Sequence, residues 1–178
     1  NLNDCLSLMP CPQQLEKNKG VYHLSNNPKI FIQGMSTQRQ NLALSRITQQ
    51  LKTINGLAFN QFKVTDSPDH ADITVRVKSQ NETYQLPELG HDESYQLTIS
   101  DSGIILQANT EIGALHGFTT LVQLVALPNI AQKPLAIVKN SLISPKRSLP
   151  ALSAATLALP QVSIKDKPRF KWRGFLLD

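Results

Sequence analysis

Residues 95–108 read YQLTISDSGIILQA. Two short β-like runs, 95–100 and 104–108, flank Asp101-Ser102-Gly103, and Gly103 tolerates the positive φ that a tight hairpin needs. The two runs are expected to pair antiparallel, so any sheet this chain builds contains at least one antiparallel pair.

Just beyond the hairpin the spacing of apolar residues changes from two to about 3.6. Ile112, Leu115, Phe118, Val122 and Val125 predict a helix over about 110–127 that Pro128 closes. Gly113 and Gly117 lie four apart on one of its faces, which suits a helix lying close against a sheet. An earlier helix is predicted from Leu44, Ile47, Leu51 and Ile54, with Ser36 or Thr37 as its N-cap and Gly56 as its stop. Further strands are expected at 21–24, at 29–33 after the turn Ser25-Asn26-Asn27-Pro28, and at 72–78, where Ile73, Val75 and Val77 alternate with Thr74, Arg76 and Lys78. Residues 139–161, rich in Ser, Ala, Leu and Pro, read as a long loop or insertion, followed by a last strand over 162–166. Strands mixed with two helices describe an α+β fold, a mostly antiparallel or mixed β-sheet with both helices on one face, occupying residues 1–166.

At 178 residues one domain with a sizeable core is accommodated, and no segment approaches the roughly 20 apolar residues of a membrane-spanning helix. The net charge of +5 brings nucleic acid into consideration. Lys165, Lys167, Arg169, Lys171 and Arg173 alternate with Phe170 and Trp172, a pattern a single-strand binder could use, but Pro168 interrupts the ladder and a solvated edge accounts for it. No nucleic-acid partner is expected. Cys5 and Cys11 permit a small disulfide-closed loop or two free thiols.

The scattered histidines His23, His70, His91 and His116 match no zinc spacing, and there is no nucleophile elbow, Walker loop or dinucleotide fingerprint. Neither a metal nor a cofactor is expected. Asp92-Glu93 could share acid/base work, but successive strand positions point to opposite faces, and charge at the solvent side of a strand start is common.

Three stretches together resemble one family. DESYQLTISDSGIILQANTEIGALHGFTTLVQL, residues 92–124, resembles the strand, hairpin and helix block of the small N-terminal domain of family 20 glycoside hydrolases, the β-N-acetylhexosaminidases. IKDKPRFKWRGFLLD, residues 164–178, resembles the junction at which that domain meets the catalytic (β/α)8 barrel, and LMPCPQQLEKNKGVYHL, residues 8–24, is similar to the family's opening segment. The resemblance implies that residues 167–178 form the junction and the first barrel strand, GFLLD, with the rest of the barrel missing from the sequence. It places Arg173 as the arginine that binds hydroxyls of the terminal N-acetylhexosamine, a task suited to a rigid fork of donors. The implied reaction removes non-reducing terminal GlcNAc or GalNAc with retention, the substrate's own acetamide acting as nucleophile beside an Asp-Glu pair of the barrel. Asp92-Glu93 is not that pair, and the 178 residues alone are expected to be inactive. The implied partners are β-linked N-acetylhexosaminides and the enzyme's own barrel. Export follows from the same resemblance, to a secreted, periplasmic or lysosomal site. The alternatives are an independent glycan- or nucleic-acid-binding module, or the small domain of another glycosidase.

Overall fold

In the computed structural model, residues 6–55, 59–78, 92–126 and 156–167 are described. The hairpin forms as its turn chemistry predicts: β5 (Tyr95–Ser100) and β6 (Gly103–Ala108) pair antiparallel with Ser100 opposite Gly103. Gly103 has φ +128°, and a Cβ there would stand 3.1 Å from the Asp72 carbonyl oxygen, so both the turn and the neighbouring strand require glycine.

Around this hairpin the remaining strands are β1 (Gln14–Leu24), β2 (Lys29–Gln33), β3 (Lys63–Val64), β4 (Ile73–Val77) and β7 (Leu157–Asp166). They form one mixed sheet in the order β1-β7-β5-β6-β4-β2-β3, antiparallel from β1 to β6 and parallel from β6 to β3. Two helices, α1 (Thr37–Asn55) and α2 (Glu111–Ala126), pack beside each other as crossover connections, and the fold is α+β.

Register explains where the core lies. Ile30, Ile73, Ile104, Ile99 and Val162 stand side by side across five strands, and Ile32, Val75, Leu106, Leu97 and Ile164 form the next row. The first row and most of the second are essentially inaccessible to solvent. Each such side chain contributes about 1.5–3 kcal/mol when fully buried. These rows face the helices, because a Cβ on Gly117 would overlap a Leu106 methyl and one on Gly113 would overlap the Ser94 carbonyl oxygen. The paired glycines do let α2 approach the sheet closely. Their presence on the contact face rotates the buried stripe: Ala114, Phe118, Leu121 and Val125 are buried, whereas Leu115 is 37 % exposed and Ile112 half-buried. In α1 the stripe holds at Leu44, Ile47 and Leu51, and Ile54 is left exposed near the helix end.

Two strands are longer than the sequence pattern suggests. Residues 157–161, expected within the loop 139–161, belong to β7; the rest of that loop lies outside the described residues. Pro160 made the segment look irregular. It is tolerated because β5 pairs only with Val162–Asp166 of this strand, and because Pro160 lies opposite Val21, where the β1 register shifts. Strand β1 begins at Gln14, seven residues before the expected start, its polar first half paired to Ile164 and Lys165 at the sheet edge. The two-residue β3 gave no periodic signal.

Candidate functional site

Asp92 and Glu93 occupy adjacent positions and serve different partners. The Asp92 carboxylate accepts hydrogen bonds from the Ser94 amide (2.9 Å) and Asn109 Nδ2 (2.6 Å). Hydrogen bonding to the Ser94 side chain, then to Asn109, with the Ser94 amide and the nearby Lys167 charge adding smaller shares, holds its carboxyl below the usual carboxylate range. Its carbonyl accepts from Thr110 Oγ1, which in turn accepts from the Gly113 amide at 3.1 Å, so this corner anchors the start of α2. Glu93 lies 3.3 Å from His116 Nε2 on α2. The two carboxylates therefore do not form an acid/base couple.

The predicted substrate residue Arg173 lies outside the described residues, as do Cys5, Arg169 and Lys171. Cys11 is half-buried and disulfide-bonded.

On the open face of the sheet, opposite the helices, register assembles a polar ladder. Arg76, Gln107, Gln96 and Lys165 stand side by side on β4, β6, β5 and β7, and Gln14 of β1 continues the row. Lys78 and Lys167 lie at the strand ends beside it, and together these residues line an open cleft of about 500 Å³. The carboxylate in the lining, Asp166, is already engaged: Oδ1 accepts from the Gln13 amide at 3.1 Å and Oδ2 from the Tyr95 hydroxyl at 3.5 Å. Tyr95 points to the helix side, where its hydroxyl meets Thr120 Oγ1 at 2.6 Å; burial pushes its phenol up to about 12, with the Asp166 charge adding to the shift. Arg76 and Lys165 were recognisable in the sequence as solvent-facing positions. Their convergence was not, because it depends on pairing between distant segments.

The helical layer has a different surface. Leu42 and Leu115 project from α1 and α2, and Met9, 78 % exposed, is held to α2 by a reciprocal pair of 2.9 Å hydrogen bonds between its main chain and the Gln123 amide. The two helices are tied at their N-terminal ends by Glu111. This buried carboxylate accepts from the Ser36 amide and from Arg39 Nη1, the latter at 2.7 Å. Among the described residues no three His, Cys, Asp or Glu side chains converge as metal ligands would, and no helix is long and apolar enough to cross a membrane.

The family profile described as β-acetyl hexosaminidase like matches residues 8–124. Similar proteins include the β-hexosaminidase subunit A1 of Dictyostelium discoideum, 27 % identical over 173 residues, which span 97 % of this chain and 27 % of that protein. The β-hexosaminidase of Vibrio furnissii is 28 % identical over 97 % of this chain and 21 % of its own length. Among solved structures, the Flavobacterium johnsoniae chitobiase superposes with a TM-score of 0.69 at 28 % identity, covering 99 % of this chain and 23 % of the chitobiase. The chain thus spans about a quarter of the length of the relatives it matches.

Proposed function

The chain belongs to the β-acetyl hexosaminidase-like family, the N-terminal domain of family 20 glycoside hydrolases, and from that premise we propose that it is the accessory domain of an exo-acting β-N-acetylhexosaminidase. The observation that carries this reading is the pattern of coverage: nearly all of this chain aligns with a minor part of each enzyme it resembles.

In this reading residues 167–178 lead into a (β/α)8 barrel that removes terminal GlcNAc or GalNAc from β-linked substrates by the substrate-assisted, retaining route of the family. The Asp-Glu pair that protonates the leaving oxygen and orients the acetamide belongs to that barrel. The divergent partners of Asp92 and Glu93 agree with this division of labour. Arg173 grips sugar hydroxyls from the first barrel strand. The helical layer, with Leu42, Leu115 and Met9 exposed, is the face that packs on the barrel, since apolar side chains gain most from being covered. Cys5 is the partner of Cys11, and the protein works in an exported compartment.

The test is release of p-nitrophenol from p-nitrophenyl N-acetyl-β-glucosaminide by the chain joined to its natural downstream sequence, with residues 1–178 alone as the inactive control. Arg173→Ala removes charge-assisted hydrogen bonds at the sugar, and a loss in kcat/KM of about 100-fold or more is expected. A joined protein without this activity, or one indifferent to Arg173→Ala, refutes the proposal.

A further inference from the structure

We propose that the cleft on the open sheet face binds an anionic glycan, a hydroxyl-rich sugar chain carrying carboxylate or sulfate groups. This inference does not depend on the barrel or its reaction.

It rests first on how the ladder is composed. Arg76 and Lys165 flank two amides, Gln107 and Gln96, in one row across four adjacent strands, and Lys78 and Lys167 lie along its end. With Gln14 included, the row crosses five strands, about 19 Å at the usual strand spacing of about 4.8 Å. That length suits several sugar units in a row better than a single ion, and the volume of about 500 Å³ is in the range of built ligand sites.

Charge gives the second argument. Among the described residues the ion pairs are Arg39 with Glu111 and His116 with Glu93, and neither draws on the cleft. Asp166 is committed to Gln13 and Tyr95, and Asp92, which Lys167 feels, is committed to Ser94 and Asn109. Glu16 on β1, opposite Ser163, is the acid at the near rim. Glu16 apart, the acids at the cleft are thus engaged, and four cations, Arg76, Lys78, Lys165 and Lys167, leave the surface cationic. Such a surface attracts anions, and guanidinium and ammonium groups match carboxylate and sulfate oxygens.

The amides decide between anionic polymers. Glutamine side chains both donate and accept, as sugar hydroxyls do, so neutral positions between charges are matched by Gln96 and Gln107. A single-stranded nucleic acid needs flat rings on which bases stack. Among the described residues the aromatic side chain of the lining is Tyr95, which is buried with its hydroxyl bonded to Thr120 on the helix side and offers no such platform.

The experiment titrates the 178-residue chain by calorimetry with four probes: a chondroitin sulfate hexasaccharide, a hyaluronan hexasaccharide, neutral chitohexaose and single-stranded oligothymidylate. Binding of the two acidic hexasaccharides at least about tenfold tighter than chitohexaose is expected, with affinity falling as salt rises. If only the sulfated probe binds, the anion is sulfate; if both do, carboxylate suffices. Arg76→Gln with Lys165→Gln should weaken binding by about tenfold, whereas Lys52→Gln with Lys63→Gln, which removes the same charge elsewhere on the surface, should not. Gln96→Ala with Gln107→Ala should weaken binding several-fold without altering its salt dependence. Circular dichroism confirms that each variant is folded. The proposal is overturned by equal affinity for chitohexaose, by equal losses in the two charge variants, by tighter binding of oligothymidylate, or by no binding of either acidic probe.

Discussion

Removing the Glu111 carboxylate should do more harm than any other single change to a polar side chain in the described fold. Its side chain is 5 % exposed and its partner Arg39 is 18 % exposed, with 2.7 Å between Oε2 and Nη1; the Ser36 amide donates to the second oxygen. Breaking a buried pair from one side costs about 3–5 kcal/mol. Arg39 keeps part of its hydration, so Glu111→Ala is expected to cost about 2–4 kcal/mol. That is a large share of the roughly 5–15 kcal/mol by which a domain is stable, and corresponds to a fall in Tm of about 10 °C. Glu111→Gln retains an acceptor for the Ser36 amide and should lose about half as much. Replacing both partners by apolar residues, Arg39→Met with Glu111→Leu, should recover most of the loss, because no charge is then left buried. Urea unfolding of residues 1–178 followed by circular dichroism gives these differences. If Glu111→Ala and Glu111→Gln both lie within about 0.5 kcal/mol of the parent, the link between the helix starts is not structural in the sense argued.

Gly117→Ala pushes a methyl into Leu106 and Gly113→Ala pushes one into the Ser94 carbonyl; each should destabilise by about 1–3 kcal/mol despite the better helix propensity of alanine, with Gly113→Ala the worse because backbone cannot step aside. Tyr95 has its folded pKa raised to about 12, so its contribution is fully present below the unfolded value of about 10 and is lost as pH rises through 12. Unfolding measured from neutral to alkaline pH should show this loss in the parent and a smaller one in Tyr95→Phe. Asp92 has its folded pKa lowered, so it stabilises above the unfolded carboxylate value of about 4 and that contribution fades as pH falls towards the folded one. Asp92→Ala should therefore lower stability at neutral pH and flatten the acid limb of the unfolding curve.

Local chemistry made much of this fold legible. The turn at Gly103, the strict alternation through Ile73, Val75 and Val77, and the break at Ser25-Asn26-Asn27-Pro28 each dictate a nearby backbone path, and the strands appear there. Residues 157–161 share the Ser-, Ala-, Leu- and Pro-rich composition of the segment before them and carry no strand periodicity, while the β1 register shift that accommodates Pro160 lies far away in sequence. Glu111 was equally opaque. Its position in the first turn of a helix suggests an exposed acid, and its burial depends on Arg39 and Ser36 arriving from the start of another helix. The cleft follows the same logic: Arg76 and Lys165 were each readable as solvent-facing, but only the pairings through Gln107 and Gln96 bring them into one row. The family motif at Trp172-Arg173-Gly174 pointed to a sugar-binding arginine whose setting lies beyond the described residues.

The position of β7 carries a consequence for biogenesis. Strand β7, far from β1 in sequence, wedges between it and the hairpin, so among the described residues β1 emerges early and has no sheet neighbour until residues 157–166 follow. Throughout that interval the backbone edge of β5 stands open as a template for other chains. A nascent sheet of this topology is therefore most at risk of misassembly just before β7 emerges, and conditions that slow translation across 127–156 should lower the soluble yield more than equal delays earlier in this sheet.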